Sequence, residues 1–371
     1  MGERVALVGV EDVVRSYDFG PSHPLRPERV LLTFNRLREL GLLDEKVEVI
    51  TPRPATDAEI TAVHDREFVG AVRGLDSGSL KPGSGFSFGL GTSDNPIFAG
   101  MHASSAAVSG ASIVGAEAIV EGRSDHAFNP AGGLHHARRR EASGFCIYND
   151  PAVAIAKALE LEPDWRVMYV DVDVHHGDGV QWIFYDDPRV LTVSLHQSGS
   201  YLYPGTGFGD EIGTGSGAGT AANIPFLPYS GEDDYLWALD RTVATLAEAF
   251  EPDLLVTQLG ADTHHGDPLA NLGLTMSAYP RMARILHDTA HRFAGGRWLA
   301  TGGGGYQFDT VVPKVWTIHF AEMTDRTELI PSAWLDDRDP LEVSKSFRAD
   351  VERSVEEVLS ACIPRLQAIR A

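Results

Sequence analysis

Four short apolar runs in the second half of the chain have the composition of strands that are buried on both faces. They cover residues 167–174, 190–195, 254–259 and 298–301. Stretches that look helical lie among them, at residues 151–161, 233–250 and 278–293. This alternation favours an α/β fold with a mostly parallel central sheet. In such sheets functional sites lie beyond the carboxyl ends of the strands, so the candidate chemistry is expected there.

Ionisable residues interrupt the first of these runs. Asp171, Asp173 and His175 alternate with valines, so an extended strand would place all three on one face. Two carboxylates inside a sheet repel each other and resist desolvation unless a cation or hydrogen-bond donors compensate them. His175 and His176 are adjacent and should point in different directions, so we expect one of them to bind a metal. An exposed polar loop is the alternative, but the intervening valines indicate a buried strand.

A third ligand is expected from the segment that follows the run at 254–259. Four side chains there have suitable chemistry, and their spacing does not choose among them: Asp262, His264, His265 and Asp267. Two carboxylates and one imidazole would leave a coordination position for water or substrate. That arrangement is typical of a catalytic rather than a structural zinc site.

Two glycine-rich segments carry further candidates. His135 and His136 lie in the segment 129–137, where they would be metal ligands or proton-transfer groups. Tyr306 follows four glycines, and its hydroxyl would donate to a developing oxyanion. A nucleotide-binding loop is the alternative, and residues 213–218 fit Gly-x-Gly-x-x-Ala. Neither the four glycines nor residues 213–218 have the context of a dinucleotide-binding loop, which lies between a strand and a helix and is followed by an acidic residue ~20 positions later. Dinucleotide binding is therefore not expected.

The composition narrows the classes of function. The 371 residues are 43% hydrophobic and 22% charged, which is typical of a globular protein with a sizeable core. The net charge of -21 repels phosphate backbones and anionic membranes, so neither nucleic acid nor membrane is expected as a partner. The two cysteines exclude a disulfide framework. Because we see no signal-peptide profile and no apolar run near the ~20 residues of a membrane span, we expect a cytoplasmic protein. The oligomeric state stays open.

Six motifs in order resemble the histone deacetylase family, and most closely its bacterial acetoin-utilisation branch. They are GGLHHA, SGFCIYND, DVDVHHGDG, YPGTG, QLGAD…GDP and GGGGY, and the matching pieces extend from His23 to Tyr306. The resemblance implies a single α/β domain with an eight-stranded parallel sheet, related to arginase. We therefore expect one catalytic domain over residues 1–371, with a helical extension from about residue 335.

The resemblance also implies roles for individual residues. The metal ligands correspond to Asp173, His175 and Asp267. The catalytic group consists of tandem histidines, the carboxylates that orient them and a tyrosine that polarises the acetyl carbonyl: His135, His136, Asp171, Asp178 and Tyr306. Within it, His136 is expected to act as base and acid, with Asp171 orienting His135 and Asp178 orienting His136. The acetyl-lysine channel and its rim correspond to Asp94, Gly144, Phe145, Tyr203 and Leu274.

The cofactor implied by the resemblance is Zn²⁺, and a site with two carboxylates would also accept Fe²⁺ or Co²⁺. The family also binds structural K⁺. One K⁺ site would use the Ser194 side chain and backbone carbonyls near Asp171, Asp173, His175 and Leu195. A second monovalent-cation site would involve Phe184, Asp187 and Val190.

The implied reaction is hydrolysis of the acetyl amide of N-epsilon-acetyl-lysine in proteins, releasing acetate. A metabolic enzyme such as an acyl-CoA synthetase is the expected substrate, from the branch resemblance alone. Acetylpolyamine hydrolysis and catalytically silent acetyl-lysine binding are the alternatives. An arginase-like ureohydrolase would need more metal-bridging ligands than we find.

Overall fold

Eight strands form one sheet in the computed structural model, which describes residues 3–336 and 345–370. The strands are β1 (Val5–Val8), β2 (Val47–Ile50), β3 (His126–Asn129), β4 (Val167–Asp171), β5 (Val190–Gln197), β6 (Ala221–Phe226), β7 (Leu254–Gln258) and β8 (Trp298–Thr301). Every pairing is parallel, and the order is β2-β1-β3-β8-β7-β4-β5-β6. The expected eight-stranded α/β architecture is confirmed, with a sheet that is parallel throughout.

Helices flank this sheet and supply much of the buried apolar surface. They are α1 (Glu11–Val14), α2 (Glu28–Glu39), α3 (Asp57–Ile60), α4 (Arg66–Asp76), α5 (Met101–Val120), α6 (Asp150–Leu161), α7 (Asp178–Ile183), α8 (Glu232–Phe250), α9 (Ala278–Phe293), α10 (Val312–Met323) and α11 (Arg348–Arg370). The extension expected from about residue 335 overlaps residues 337–344, which lie outside the described residues. Beyond them, α11 packs against α8 and β6.

The predicted strand at 167–174 is shorter in the structure, because β4 ends at Asp171. The backbone N–H of Asp173 donates to Asp171 Oδ1 at 3.1 Å, and that of His175 donates to Asp173 Oδ1 at 3.0 Å. Carboxylates that accept from the backbone two residues on replace the ladder with turns. The expectation that Asp173 and His175 belong to the strand is therefore wrong, and both lie in the loop that follows it.

Helix α5 also departs from expectation, because its 20 residues are long and apolar enough, by length and composition, to cross a membrane. Its mean hydropathy is 1.4 over the best window, and 78% of that window is buried inside the protein. The helix packs against β1, β3, β8 and α6. We expected no such run, and the burial of α5 accounts for its composition as that of a core helix.

Candidate active site

Four loops meet at one edge of the sheet, because β3, β8, β7 and β4 are neighbours and parallel. Each of these strands ends at this edge, and the loops that follow carry most of the candidate residues. They cover residues 130–137, 302–306, 259–267 and 172–177. Segments that are far apart in sequence are thereby brought to a single place.

A buried group of one imidazole and two carboxylates lies at this edge. Nδ1 of His175 lies 3.0 Å from Asp173 Oδ1 and 3.3 Å from Asp262 Oδ2. One ligand atom from each of the three residues lies within 4.8 Å of the other two, a spacing at which they could hold a metal ion. Asp267 is not a member of this group. Its Oδ2 accepts from the backbone N–H of Tyr306 at 2.9 Å, and its Oδ1 accepts from another backbone N–H at 3.0 Å.

The carboxylates in and beside this group carry more negative charge than the protein balances. Burial raises the pKa of Asp262 to about 7, and the neighbouring charge of Asp173 raises it further in the same direction. Burial also raises the pKa of Asp267 to about 6, against the opposing effect of its backbone donors. Apart from the 3.3 Å approach of His175 Nδ1, Oδ2 of Asp262 has no hydrogen-bond partner among the described residues. The donor set therefore fits a divalent cation, which would compensate the buried carboxylates.

The second oxygen of Asp173 is held by groups that the sequence analysis missed. Gln258 Nε2 donates to Asp173 Oδ2 at 2.6 Å, and the backbone N–H of Gly304 donates to it at 2.7 Å. A Cβ on Gly304 would lie 2.0 Å from Asp262 Oδ2, so only glycine fits there. The glycines before Tyr306 thus let the backbone approach two carboxylates closely. The signal for Gln258 was present, since this polar residue ends the apolar run of β7.

The tandem histidines form two separate pairs with carboxylates. His135 Nδ1 lies 2.7 Å from Asp171 Oδ2, and His136 Nδ1 lies 2.7 Å from Asp178 Oδ1. The two Nε2 atoms lie 3.1 Å apart. All four side chains are buried. Each carboxylate fixes the orientation of one ring and leaves its Nε2 facing the other ring.

Two further side chains hold these carboxylates in place, and neither was anticipated from the sequence. The hydroxyl of Tyr169 donates to Asp171 Oδ2 at 2.6 Å. Arg138 donates to Asp178 Oδ2 from Nη2 at 2.8 Å and from Nε at 3.1 Å. Burial alone would raise the pKa of Asp178, but the hydrogen bond to His136 and the charge of Arg138 lower it to about 2. Asp178 is therefore ionised at neutral pH.

The two imidazoles have opposite protonation preferences. Burial opposes the charge on His135, but the carboxylates of Asp171 and Asp173 outweigh it and raise the pKa to about 9. Burial and the neighbouring His135 lower the pKa of His136 to about 4. Without a metal ion on Asp173, the pair at neutral pH thus holds one imidazolium beside one neutral imidazole. Such a pair offers a proton donor and a proton acceptor at the same place.

Aromatic side chains surround the approach to these groups. The ring of Phe145 lies 5.8 Å from that of Tyr306, and the ring of Tyr203 lies 5.1 Å from that of His136. Gly144 has φ +50°, and a Cβ there would lie 2.3 Å from His136 Cδ2. Burial raises the pKa of Tyr306 well above its usual value, so its hydroxyl keeps its proton.

One pocket brings together seven of the thirteen expected site residues. They are His135, His136, Gly144, Phe145, Asp173, His175 and Tyr306. The buried Arg29 also lines it, and this residue was not foreseen; its Nη1 donates to the carbonyl of Gly305 at 3.2 Å.

Six of the thirteen expected residues do not line that pocket; Asp94 and Leu274 are two of them, and His176, the other histidine of the pair, does not line it either. Asp94 is exposed, and its backbone carbonyl lies 3.3 Å from Nε2 of His23, whose ring is 4.5 Å from that of Phe145. Leu274 is fully buried and does not line the pocket. His176 points away from His175, with its ring nitrogens 2.9 Å from a threonine hydroxyl and 3.0 Å from a glutamine oxygen.

The architecture and this edge of the sheet define the class as the arginase/deacetylase fold. The histone deacetylase domain matches residues 23–323, which is most of the chain. The chain therefore belongs to the histone deacetylase family and is a deacetylase, a hydrolase. Zinc dependence is typical of this family.

Individual relatives narrow the branch. The acetoin utilization protein AcuC of Bacillus subtilis is 42% identical over 86% of this chain and 83% of its own length. AcuC of Staphylococcus aureus is 34% identical over 87% of this chain and 84% of its own length. The crystal structure of an HDAC homologue from Aquifex aeolicus matches with a TM-score of 0.82 and 31% identity, over 96% of this chain and all of that one. The expected resemblance to the acetoin-utilisation branch is confirmed.

Proposed function

We propose that this chain hydrolyses the acetyl amide of N-epsilon-acetyl-lysine in proteins and releases acetate. One observation carries the proposal: two imidazoles, each with its own carboxylate, lie beside a buried Asp-His-Asp group in a pocket lined by Phe145 and Tyr306. An acetyl-lysine side chain is a narrow aliphatic chain that ends in an amide. It suits a pocket with an aromatic wall and polar groups at its base.

The metal in this proposal is Zn²⁺, with Fe²⁺ or Co²⁺ as substitutes, held by Asp173, His175 and Asp267. A bound metal ion supplies Lewis-acid chemistry to the reaction. Asp262 would then be a further carboxylate beside the metal that helps to hold His175. Its Oδ2 lies 3.3 Å from His175 Nδ1, the same ring nitrogen that faces Asp173 Oδ1 at 3.0 Å, so the geometry also supports Asp262 as the third ligand.

Proton transfer in the proposal belongs to the tandem histidines. His136, whose pKa is lowered to about 4, is neutral and accepts the proton of the attacking water at Nε2. The water oxygen adds to the acetyl carbon, and the carbon–nitrogen bond then breaks. His135 or His136 in its protonated form gives a proton to the leaving lysine nitrogen. Tyr306 keeps its hydroxyl proton and donates a hydrogen bond to the oxyanion.

The substrate in this proposal is a protein, such as an acyl-CoA synthetase, and this choice rests on the acetoin-utilisation branch. The exposed carboxylate of Asp94 supports it, since a rim acceptor finds backbone N–H donors in a peptide and not in a polyamine. We place the enzyme in the cytoplasm, where metabolic enzymes occur, and treat residues 1–371 as one catalytic domain. The K⁺ sites stay predictions.

Metal content separates the two candidates for the third ligand. Asp267→Asn should lose the catalytic metal, whereas Asp262→Asn should retain it with weaker affinity, by roughly 10–100-fold as for other outer-shell partners. Metal per chain is measured by mass spectrometry after gel filtration in metal-free buffer. Asp288→Asn, an exposed carboxylate on α9, is the matched control for the change in charge. The reverse order of losses would make Asp262 the ligand and contradict our assignment.

Substrate class is tested by kinetics on acetyl-peptides and on acetylspermidine. Asp94→Ala should lower kcat/KM for peptides, and the loss should correspond to about 1–3 kcal/mol of binding free energy, the cost of leaving backbone donors unsatisfied. The variant should affect acetylspermidine less. Asp94→Asn keeps an acceptor oxygen and should recover part of the lost kcat/KM. Asp288→Asn should leave kcat/KM unchanged for both substrates. Wild-type hydrolysis of acetylspermidine faster than of every acetyl-peptide would overturn the protein substrate. Binding of acetyl-peptides without turnover would identify a silent binder.

A further inference from the structure

A second histidine cluster lies at the opposite edge of the sheet from the active site. His126 is the first residue of β3, and Glu3 lies two residues before β1. His287 and His291 are four residues apart on α9 and therefore share one face of that helix. The strands β1, β3 and β8 all begin at this edge, because Val5 is paired with His126 and His126 with Trp298. None of the six deacetylase motifs includes a member of the cluster.

The side chains of this cluster converge on a single point. Nε2 of His287 lies 3.2 Å from Nε2 of His126 and 3.0 Å from Nε2 of His291. The Glu3 carboxylate reaches all three imidazoles, at 3.2 Å from His126, 3.3 Å from His287 and 2.8 Å from His291. One ligand atom from each of the four residues lies within 4.8 Å of all the others.

Hydrogen bonding alone satisfies this arrangement poorly. His287 Nε2 is approached by two imidazole nitrogens and by a carboxylate oxygen, yet a ring nitrogen carries at most one proton. A tetrahedral metal accounts for the distances better. With zinc–nitrogen bonds of 2.0–2.1 Å, tetrahedral ligands lie roughly 3.3 Å apart, which is close to the separations seen here.

The surroundings of His287 are also those of a metal ligand. Glu322 Oε1 lies 3.2 Å from His287 Nδ1, the ring nitrogen that faces away from the cluster. Arg284 Nε lies 2.9 Å from the same oxygen and holds it in place. A carboxylate on the far nitrogen of a histidine is the usual outer partner of a zinc ligand. His126 and His287 are buried and His291 is half-exposed, which gives an ion a route from solvent.

We propose that Glu3, His126, His287 and His291 form a second metal site that binds Zn²⁺. Three imidazoles and a carboxylate fill a tetrahedral coordination sphere and leave no position for a substrate, so the site is structural. The ion ties the segment before β1 to the start of β3 and to α9. Because these ligands are preassembled only in the folded chain, zinc binding adds to folding stability.

The test compares zinc content in two backgrounds, wild type and Asp173→Ala, to separate this site from the catalytic one. His291→Ala should lose one zinc equivalent per chain relative to its parent in either background. Glu3→Gln is a second variant at a partly exposed position, which should weaken binding without removing a core side chain. Asp288→Ala, an exposed carboxylate on the same helix, is the control and should lose none.

Thermal unfolding gives an independent measurement. Added Zn²⁺ should raise the Tm of the Asp173→Ala protein, and that rise should be absent when His291→Ala is added to it. Tetrahedral Co²⁺ absorption in the Asp173→Ala protein should likewise depend on His291. Equal zinc content in each His291→Ala protein and its parent, with an unchanged zinc-dependent Tm, would overturn the proposal and leave the cluster as a hydrogen-bonded network.

Discussion

The two edges of the sheet both gather histidines, but they arrange them in different ways. At the carboxyl edge His135 and His136 each pair with a separate carboxylate through Nδ1. At the amino edge a single carboxylate, Glu3, lies among the Nε2 atoms of three rings. The first arrangement fixes each ring and gives the two rings different proton affinities. The second points one nitrogen of each ring, Nε2, at one place.

This difference shows what distinguishes a proton-transfer pair from a metal site built of the same side chain. Proton transfer requires one ring to be neutral and the other charged, so each needs its own electrostatic surroundings. Metal binding requires neutral nitrogens that converge within the radius of one ion. A list of histidines does not separate these cases, whereas the partner of each ring nitrogen does.

The largest expected effect concerns the carboxylate of the His136 pair. Asp178→Asn should lower kcat by roughly 10²–10⁴, because His136 loses the charge that orients its ring and stabilises its protonated form. Metal content should stay unchanged, since Asp178 is not a proposed ligand. Steady-state kinetics and metal analysis on the same preparation check both points. Loss of metal together with activity would break the distinction between the two arrangements.

A smaller effect is expected from His64, a buried histidine that uses its two nitrogens differently. Its Nδ1 donates to the carbonyl of Arg138 at 2.9 Å, and its Nε2 accepts from the N–H of Asn149 at 3.0 Å, so the ring must be neutral. Burial lowers its pKa from 6.5 to about 4. Between these values the unfolded chain binds more protons, so the free energy of unfolding should fall as pH drops from 6.5 towards 4.

The full loss from this residue is of the order of 3 kcal/mol. Denaturant unfolding across that pH range measures it, with His64→Gln as the variant that cannot titrate. His64→Gln is expected to be less stable at pH 7 and to show a shallower pH dependence than wild type. Parallel pH profiles for the two proteins would show that His64 contributes nothing to acid sensitivity.

The smallest effect is expected at the amino edge, where Glu322 contacts His287 from outside the proposed metal site. Glu322→Gln should weaken zinc binding by roughly 10–100-fold in the Asp173→Ala background, as for other outer-shell carboxylates. Competition with a chromogenic chelator measures the affinity. Glu328→Gln, an exposed neighbour in the chain, serves as control. An unchanged affinity would mean that Glu322 serves only its contact with Arg284.

Regular elements with strong patterns could be predicted closely from the sequence. The bounds of β8 and α9 match the expected 298–301 and 278–293, because an apolar run and an amphipathic stretch define them locally. The end of β4 was missed because side-chain carboxylates, which the apolar pattern does not register, compete with the ladder there.

The two sites could be predicted less completely from the sequence, because contacts between distant segments of the chain create them. Spacing within residues 260–268 could not choose among Asp262, His264, His265 and Asp267, since only the folded loops bring Asp262 beside Asp173 and His175. Of the amino-edge cluster, only the pair His287 and His291 has a recognisable spacing. Glu3 and His126 join that pair through strand order, which no local pattern in the sequence contains.

The position of β8 in the sheet has a consequence for how the protein is made on the ribosome. This strand lies between β3 and β7 at the centre of the sheet, yet it is the last of the eight strands to be synthesised. Until it emerges, β3 and β7 each lack a neighbour, and the apolar helix α5 lacks part of the surface against which it packs. A nascent chain therefore carries an open edge at β3 and an incompletely packed apolar helix from the synthesis of β3 until that of β8, and a second open edge once β7 has been made. Once β8 pairs with β3 and β7, it covers both edges and completes the surface against which α5 packs.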